Sequence, residues 1–449
     1  MNILYLKPEE QIIHEIAQSR QEGKQVSSIE SEWNSLVTRG TNPEALRADA
    51  SRLLRELLRL EPDPILLSEE PSDLETIRAN SRARELKNAP DTIAEAVLLD
   101  KIHGGWLARA AGCLLGKPVE KTGRVGIREI LQSNGHWPLS DYFTARGVSD
   151  TLLSKYPWNR HGGPESLKEN ISCMPEDDDM NYPIVNLIVA EQSGPAFGSE
   201  HVADVWLHTL PVMSTFTAER VAYTNLLQLV PSSECAIHGN PYREWIGAQI
   251  RADLWGWIAC GNPRLASEYS WRDAHLSHTR NGIYGEMFFA SAIAEAAIAS
   301  NIEGILETAL KVVPSKSRFA KAVTTAVTIA QQYPDWENVV DRLYAEYGHL
   351  FWVHTINNAA LVVAALIHGK GDFERTICSV VMGGWDADCN GATAGSILGT
   401  MMGRSSLPAK WIDPLNNQLR SSVMGYDHSA FDQLARRTAS LHKSFTTHQ

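Results

Sequence analysis

Apolar residues recur along this chain at helical spacing, and no β-type alternation of useful length follows residue 95. Pro8-Glu9-Glu10 opens an amphipathic run through Ile12, Ile13 and Ile16 to Glu22-Gly23. This predicts a helix with proline at its front and glycine at its end. Pro43 to Leu60 repeats leucine at helical spacing with arginines between, until Pro62-Asp63-Pro64 breaks it. Asp73 to Leu86 is a third, charged helical stretch. From Thr92 the pattern turns more apolar and rich in small residues, and Ile93 to Leu115 reads as a helix. Residues 121–175 read as loop, with proline, glycine and aromatics throughout. An apolar helix from Ile184 to Glu191, helical segments around 200–230 and 241–260, and a polar junction from Asp273 to Gly285 come next. Alanine-rich or amphipathic helices are then predicted over Met287–Ala299, 302–312, 316–332, from His354 to His368, and from Asp372 to Val381.

The last predicted helix has the strongest pattern. After Gly383-Gly384-Trp385-Asp386-Ala387-Asp388-Cys389-Asn390, glycine recurs at 391, 395, 399 and 403. At about 100° per residue these glycines share one ridge of a helix. Each costs roughly 1 kcal/mol against alanine, so the ridge predicts another backbone packed very close to it. Such a helix would hold Asp386 and Asp388 at a fixed spot.

The small residues of the helices suit dense helix-on-helix packing, and the fold class expected is all-α. The chain divides into a helical extension, residues 1–94, and a main domain, residues 95–449. The extension reads as an appendage packed on the main body or on another subunit. A net charge of −12 without a long basic run argues against nucleic acid as a partner. The longest unbroken apolar run, Ala359 to Ile367, is too short to span a bilayer. The start of the chain lacks a secretion signal's apolar core, so a cytoplasmic location is expected. The six cysteines show no CxxC spacing and read as free thiols.

Two acidic segments carry the candidate chemistry. Glu176-Asp177-Asp178-Asp179 is four acids in a row, and such a run repels itself unless it is solvated or holds a cation. A solvated, dipole-favoured helix start is the plain alternative. Asp386 and Asp388 form the second cluster. Carboxylates without His partners suit hard cations, Mg²⁺ or Mn²⁺ before Ca²⁺. His275 and His278 are more simply read as bonding loops at the polar junction. No HExxH or serine- or cysteine-nucleophile signature occurs.

Gly116-x-x-x-Glu120, Glu176-Asp177-Asp178-Asp179 and Asp386-Ala387-Asp388-Cys389-Asn390-Gly391, in this order, resemble the three signatures of the ADP-ribosylglycohydrolase family, over roughly residues 95–410. The resemblance implies an all-α fold, two Mg²⁺ ions in a cleft, and cleavage of an ADP-ribosyl or related ribosidic bond in a small glycoside or an ADP-ribosylated substrate. It implies Glu176, Asp177, Asp178, Asp386 and Asp388 at the metals, and Glu120 and Asp178 as catalytic groups. Asn281, Gly282, Tyr284, Gly285, His354, Asn357 and Trp385 are the candidates for substrate contact, the first six because they sit at helix starts.

The sequence departs from the family pattern at Cys113, where aspartate is usual, at Glu176 and Asp179, where threonine is usual, at Trp385 for glycine and at Cys389 for a hydroxyl residue. These changes point to a divergent branch with a smaller or different glycoside substrate. Two rival readings stand beside this one. An isoprenoid synthase would bind diphosphate through Mg²⁺, but Asp386-Ala387-Asp388-Cys389 lacks the second motif of that class. A non-catalytic ADP-ribose binder would keep the fold and lose the reaction.

Overall fold

The computed structural model describes residues 4–40, 42–86 and 93–447. Among these the chain is helical almost throughout, and its only strands are the two-residue antiparallel pair Gln418–Leu419 and Ser429–Ala430.

Two helices form the centre, Glu95–Gly116 and Ala387–Met402. They meet backbone to backbone. A Cβ added at Gly391 would lie 2.3 Å from the Gly112 carbonyl oxygen, one at Gly395 2.2 Å from that of Ala108, and one at Gly399 2.3 Å from that of Gly104. The partner surface repeats the same spacing: Gly104, Ala108, Gly112 and Gly116. The expected ridge therefore exists, with one correction. Gly403 lies just past the helix with φ of +80° and ends it.

The second correction concerns the acids. The helix starts at Ala387 rather than at Gly391, so Asp386 is its N-cap residue and Asp388 lies in its first turn.

Around this pair pack Asp178–Ser193, Ala252–Ile258, Asn281–Ala296, Thr355–Gly369, Phe373–Met382 and Phe431–Thr446. The helix predicted from Ile184 begins six residues earlier, with Pro183 inside it. Proline has no N–H to give the carbonyl four residues back. That carbonyl belongs to Asp179, and the Arg109 Nε–H donates to it instead, at 2.8 Å. The helix predicted from Met287 likewise begins at Asn281, so the polar junction is its first turn. The stretch read as loop contains the helices Gly123–Ser133 and Asp150–Lys155. Conversely, residues 241–248 are not helical. They run beside the start of the Thr355 helix, where Ile246 N–H donates to the Val353 carbonyl and Thr355 N–H to that of Glu244.

The helices Pro8–Gln21, Ser27–Thr38 and Pro43–Leu57 close over a small core of their own, formed by Ile12, Ile16, Trp33, Leu53 and their neighbours. Pro64–Glu69 and Leu74–Asn80 carry the chain onto the main body, where Ile77 joins the large core. Residues 87–92, just before the boundary expected at 94, lie outside the described residues. No helix of the described residues is long and apolar enough to cross a membrane.

Candidate metal centre and cleft

The acidic segments meet because both sit at helix starts aimed at one cavity of about 330 Å³. Glu120, Glu176, Asp177, Asp178, Asp386 and Asp388 all line it. Glu120 follows the last turn of the Glu95 helix and a short 3-10 turn. Asp177 caps the next acidic helix, its Oδ1 accepting from the Asp179 N–H at 2.9 Å. Asp386 is fixed through its backbone: Asn358 Oδ1 accepts both the Asp386 N–H, at 3.2 Å, and the Asn390 amide, at 2.7 Å. The Asp386 side chain makes no capping bond and is left for the cavity.

Not every acid of the run behaves alike. Glu176 is exposed and accepts from the Asn181 amide at 2.8 Å. Asp179 turns inward to Arg109, at 3.0 Å, and Arg109 also pairs with Asp253, at 2.7 Å. Asp177 is paired with the buried ammonium of Lys117. Glu120 takes a hydrogen bond from Asn159 and an ion pair from Lys121 at 3.1 Å. Lys117, Arg109 and Asn159 were absent from the sequence reading. Only Lys117, inside the Gly116-x-x-x-Glu120 motif, had a local signal to find it by.

Burial pushes Asp178 and Asp388 well above the usual carboxylate range, and neighbouring acids push the same way: Asp177 and Asp179 on Asp178, Glu120 and Asp386 on Asp388. Burial likewise lifts Asp386 to about 7, helped by Glu120, and Asp179 to about 8 against the pull of Arg109. Asp177 is the exception. Burial raises it too, but Lys117 outweighs that and holds it below the ordinary range.

A crowded set of acids of this kind is what a cation relieves. One ligand atom each from Glu120, Asp386 and Asp388 lie within 4.8 Å of one another. Asp388 Oδ1 is buried with no hydrogen-bond partner. This oxygen-only set fits a hard divalent cation. Two further triples, Asp179-Asp388-Cys389 and Cys113-Asp177-Asp179, each include a thiol. Burial and the surrounding acids keep both thiols protonated well above their usual pKa, which makes them weak partners for a hard ion.

The other sequence candidates lie outside the cavity lining. The Asn281 amide donates to Glu70, at 2.8 Å, and to Glu244, at 2.7 Å. Tyr284 donates to the Pro71 carbonyl. His354 caps its own helix, accepting from Ile356 N–H at 3.1 Å, and its other nitrogen meets Gln21 at 2.9 Å. These three polar groups hold the N-terminal segment. Gly282 and Gly285 allow close approach: an added Cβ would sit 2.6 Å from the Arg243 carbonyl oxygen or from Thr355 Cγ2 respectively. Asn357 donates to the Phe351 carbonyl at 3.3 Å. Trp385 stacks on Tyr344 with ring centres 4.3 Å apart.

The cavity has a second, aromatic wall that sequence reasoning missed. Trp245, Phe351, Trp352 and Phe216 line it with Tyr5 and His14 from the extension. Trp245 and Phe351 are stacked at 4.6 Å, and His14 meets both edge-on at 5.1 Å.

The chain is an all-helical body whose carboxylate-lined cleft, at converging helix starts, is a candidate cation site. Residues 94–448 match the family model described as ADP-ribosylglycohydrolase, and the chain belongs to that family. It is accordingly a hydrolase of glycosidic bonds. A solved structure described as an ADP-ribosylglycohydrolase-related protein complex is 19% identical to it, covering 78% of this chain and 100% of its own, with a TM-score of 0.48. No curated protein matches it significantly.

Proposed function

We propose that the chain is a Mg²⁺-dependent glycohydrolase that cleaves an ADP-ribosyl or related ribosidic bond. The observation that carries this reading is the convergence of Asp177 and Asp178 with Asp386 and Asp388 on one cavity, together with the partnerless Asp388 oxygen. Glu120, Asp386 and Asp388 would hold one ion. Asp177, which keeps its pair with Lys117, and Asp178 would face the second, with Glu176 at its rim. Bound Mg²⁺ supplies positive charge that orients the ribose hydroxyls beside the scissile bond; Mn²⁺ suits the same oxygens, and Ca²⁺ less well.

The chain's own groups do the proton work. Glu120 is steadied by Asn159 and Lys121 and takes a proton from the attacking water. Asp178, on the same cavity lining, passes a proton to the departing group. The fixed carboxylates also stabilise the positive charge that develops at the anomeric carbon.

The double substitution Asp178→Asn with Asp386→Asn tests this. Calorimetry is expected to show loss of Mg²⁺ binding, and turnover to fall at least about 10³-fold, with helical circular dichroism intact. Unchanged Mg²⁺ affinity in that variant would overturn the reading.

A further inference from the structure

The family match begins at residue 94, yet the cavity is not complete without residues that precede it. Tyr5 and His14 belong to its lining. They are held there by more than contact. Arg243 pairs with Glu15 at 2.7 Å and with Glu22 at 2.7 Å, all three nearly inaccessible to solvent. Gln18 donates to Glu244 at 2.7 Å, and the Tyr242 hydroxyl donates to the Tyr5 carbonyl at 3.3 Å. Further along, Glu70 accepts from Arg280 at 2.6 Å and from Arg318 at 2.8 Å. A loosely laid appendage would not bury so many charges, because each costs several kcal/mol unless it is paired.

The chemistry of the lining says what the completed cavity receives. Carboxylates form part of the lining. Beside them it presents rings from Tyr5, His14, Trp245, Phe351, Trp352 and Phe216, with Lys121 5.8 Å from the centre of the Trp352 ring. The two lysines that reach the cavity are already committed, Lys117 to Asp177 and Lys121 to Glu120. Among the described residues no arginine lines it, so a diphosphate has no spare lysine or arginine of the chain to meet. At about 330 Å³ the cavity is at the small end of the roughly 300–1,000 Å³ typical of small-molecule sites.

We infer that the N-terminal segment is a specificity element of the active site: Tyr5 and His14 complete an aromatic berth for a planar aromatic aglycone that carries no phosphate, so the substrate is a ribosyl heterocycle of nucleoside size. This rests on the glycohydrolase reading. Water adds to the anomeric carbon as the bond to the ring nitrogen breaks, and the bonding pair leaves with that nitrogen. One water proton goes to Glu120. A cationic pyridinium leaves as the neutral pyridine, whereas a neutral base takes its proton from Asp178. Stacking serves both, and a cationic ring gains further from aromatic faces.

The test uses the full chain with Mg²⁺ and four probes: nicotinamide riboside, inosine, methyl ribofuranoside and ADP-ribose. One of the first two is expected to show the highest kcat/KM, and which one wins says whether the ring is cationic or neutral. Tyr5→Ala and His14→Ala are each expected to raise KM for the better probe about three- to thirty-fold. Ile13→Ala lies beside His14 but is 52% exposed, and it is expected to change KM by less than about two-fold. Equal cleavage of methyl ribofuranoside, tighter binding of ADP-ribose, or the same KM in Tyr5→Ala and His14→Ala as in Ile13→Ala would overturn the inference. If no probe is cleaved, the glycohydrolase reading fails by itself. Calorimetry with nicotinamide riboside and inosine still decides this one: binding weakened by Tyr5→Ala and His14→Ala supports it, and absent or unaffected binding overturns it.

Discussion

One wall of the cavity is clamped at the level of the backbone, while the other is held by long side chains with paired charges. The acid wall stands on Glu95–Gly116 and Ala387–Met402, where glycine opposes backbone at each turn and nothing can slide without a clash. The aromatic wall is partly borrowed from a segment with its own small core, docked through Arg243, Arg280 and Arg318. The difference teaches where precision is spent. Carboxylates that share a cation must be placed to fractions of an ångström and so need a rigid base. An aglycone berth tolerates small shifts, and a docked segment is enough to form it. It also leaves the berth free to change without touching the chemistry.

Arg243→Ala should separate the walls most sharply. It strands the buried Glu15 and leaves the buried Glu22 to Lys24, and breaking a buried pair this way costs about 3–5 kcal/mol. The expected result is release of the first helices, read as new cleavage before residue 80 in limited proteolysis, with Mg²⁺ affinity retained. Intact resistance would mean that the docking does not depend on these charges. Gly391→Ala makes the complementary cut. Its Cβ would come 2.3 Å from the Gly112 carbonyl oxygen, an overpacking of about 1–3 kcal/mol. A lower Tm and weakened Mg²⁺ binding are expected, without new cleavage in the extension. Wild-type Mg²⁺ affinity would show that the clamp is not what places the acids.

How much of this could be read in the sequence follows from the range of each interaction. The acids were legible because each cluster is contiguous, and the glycine ridge because its period is local. Its partner ridge went unread because Ala108 interrupts the glycines. Asn281, Tyr284 and His354 look, as sequence, like polar groups waiting for a ligand. A buried polar group must find a partner, but its identity is a long-range fact, and here the partners are Glu70, Pro71 and Gln21. Tyr5 and His14 had no signature at all, since an aromatic residue in an amphipathic stretch reads as packing. The early start of the acidic helix was hidden by Pro183, which ordinarily forbids a helix interior unless the freed carbonyl is satisfied, as Arg109 does here.

The walls should also answer pH in opposite directions. Asp386 and Asp388 have raised pKa values in the fold, so between about 4 and 7 the folded state holds more protons than the unfolded one. Stability of the metal-free protein therefore falls as pH rises through that window, and Mg²⁺ should recover it. The gain in Tm on adding Mg²⁺ is expected to be larger at pH 7 than at pH 5, and an equal gain would place the ion elsewhere. Glu22 is shifted the other way: burial raises it, but Arg243 and Lys24 prevail and lower it. Its contribution to docking is present above about 4.3 and lost as pH falls below.

His354 gives the finest test of the docked side. Burial lowers its pKa to about 4, so the ring is neutral, and accepting from Ile356 N–H fixes the proton on the nitrogen that faces Gln21. A base with a depressed pKa binds fewer protons folded than unfolded, here between about 4 and 6.5, so docking strengthens as pH rises through that range. His354→Asn keeps a side chain able to cap the helix and gives up the bond to Gln21, a loss of about 0.5–1.5 kcal/mol. Proteolytic release of the extension should become slightly easier at pH 7, and its dependence on pH between 4 and 6.5 should flatten. An unchanged slope would move that sensitivity to the Glu22 side of the interface, leaving His354 as a helix cap alone.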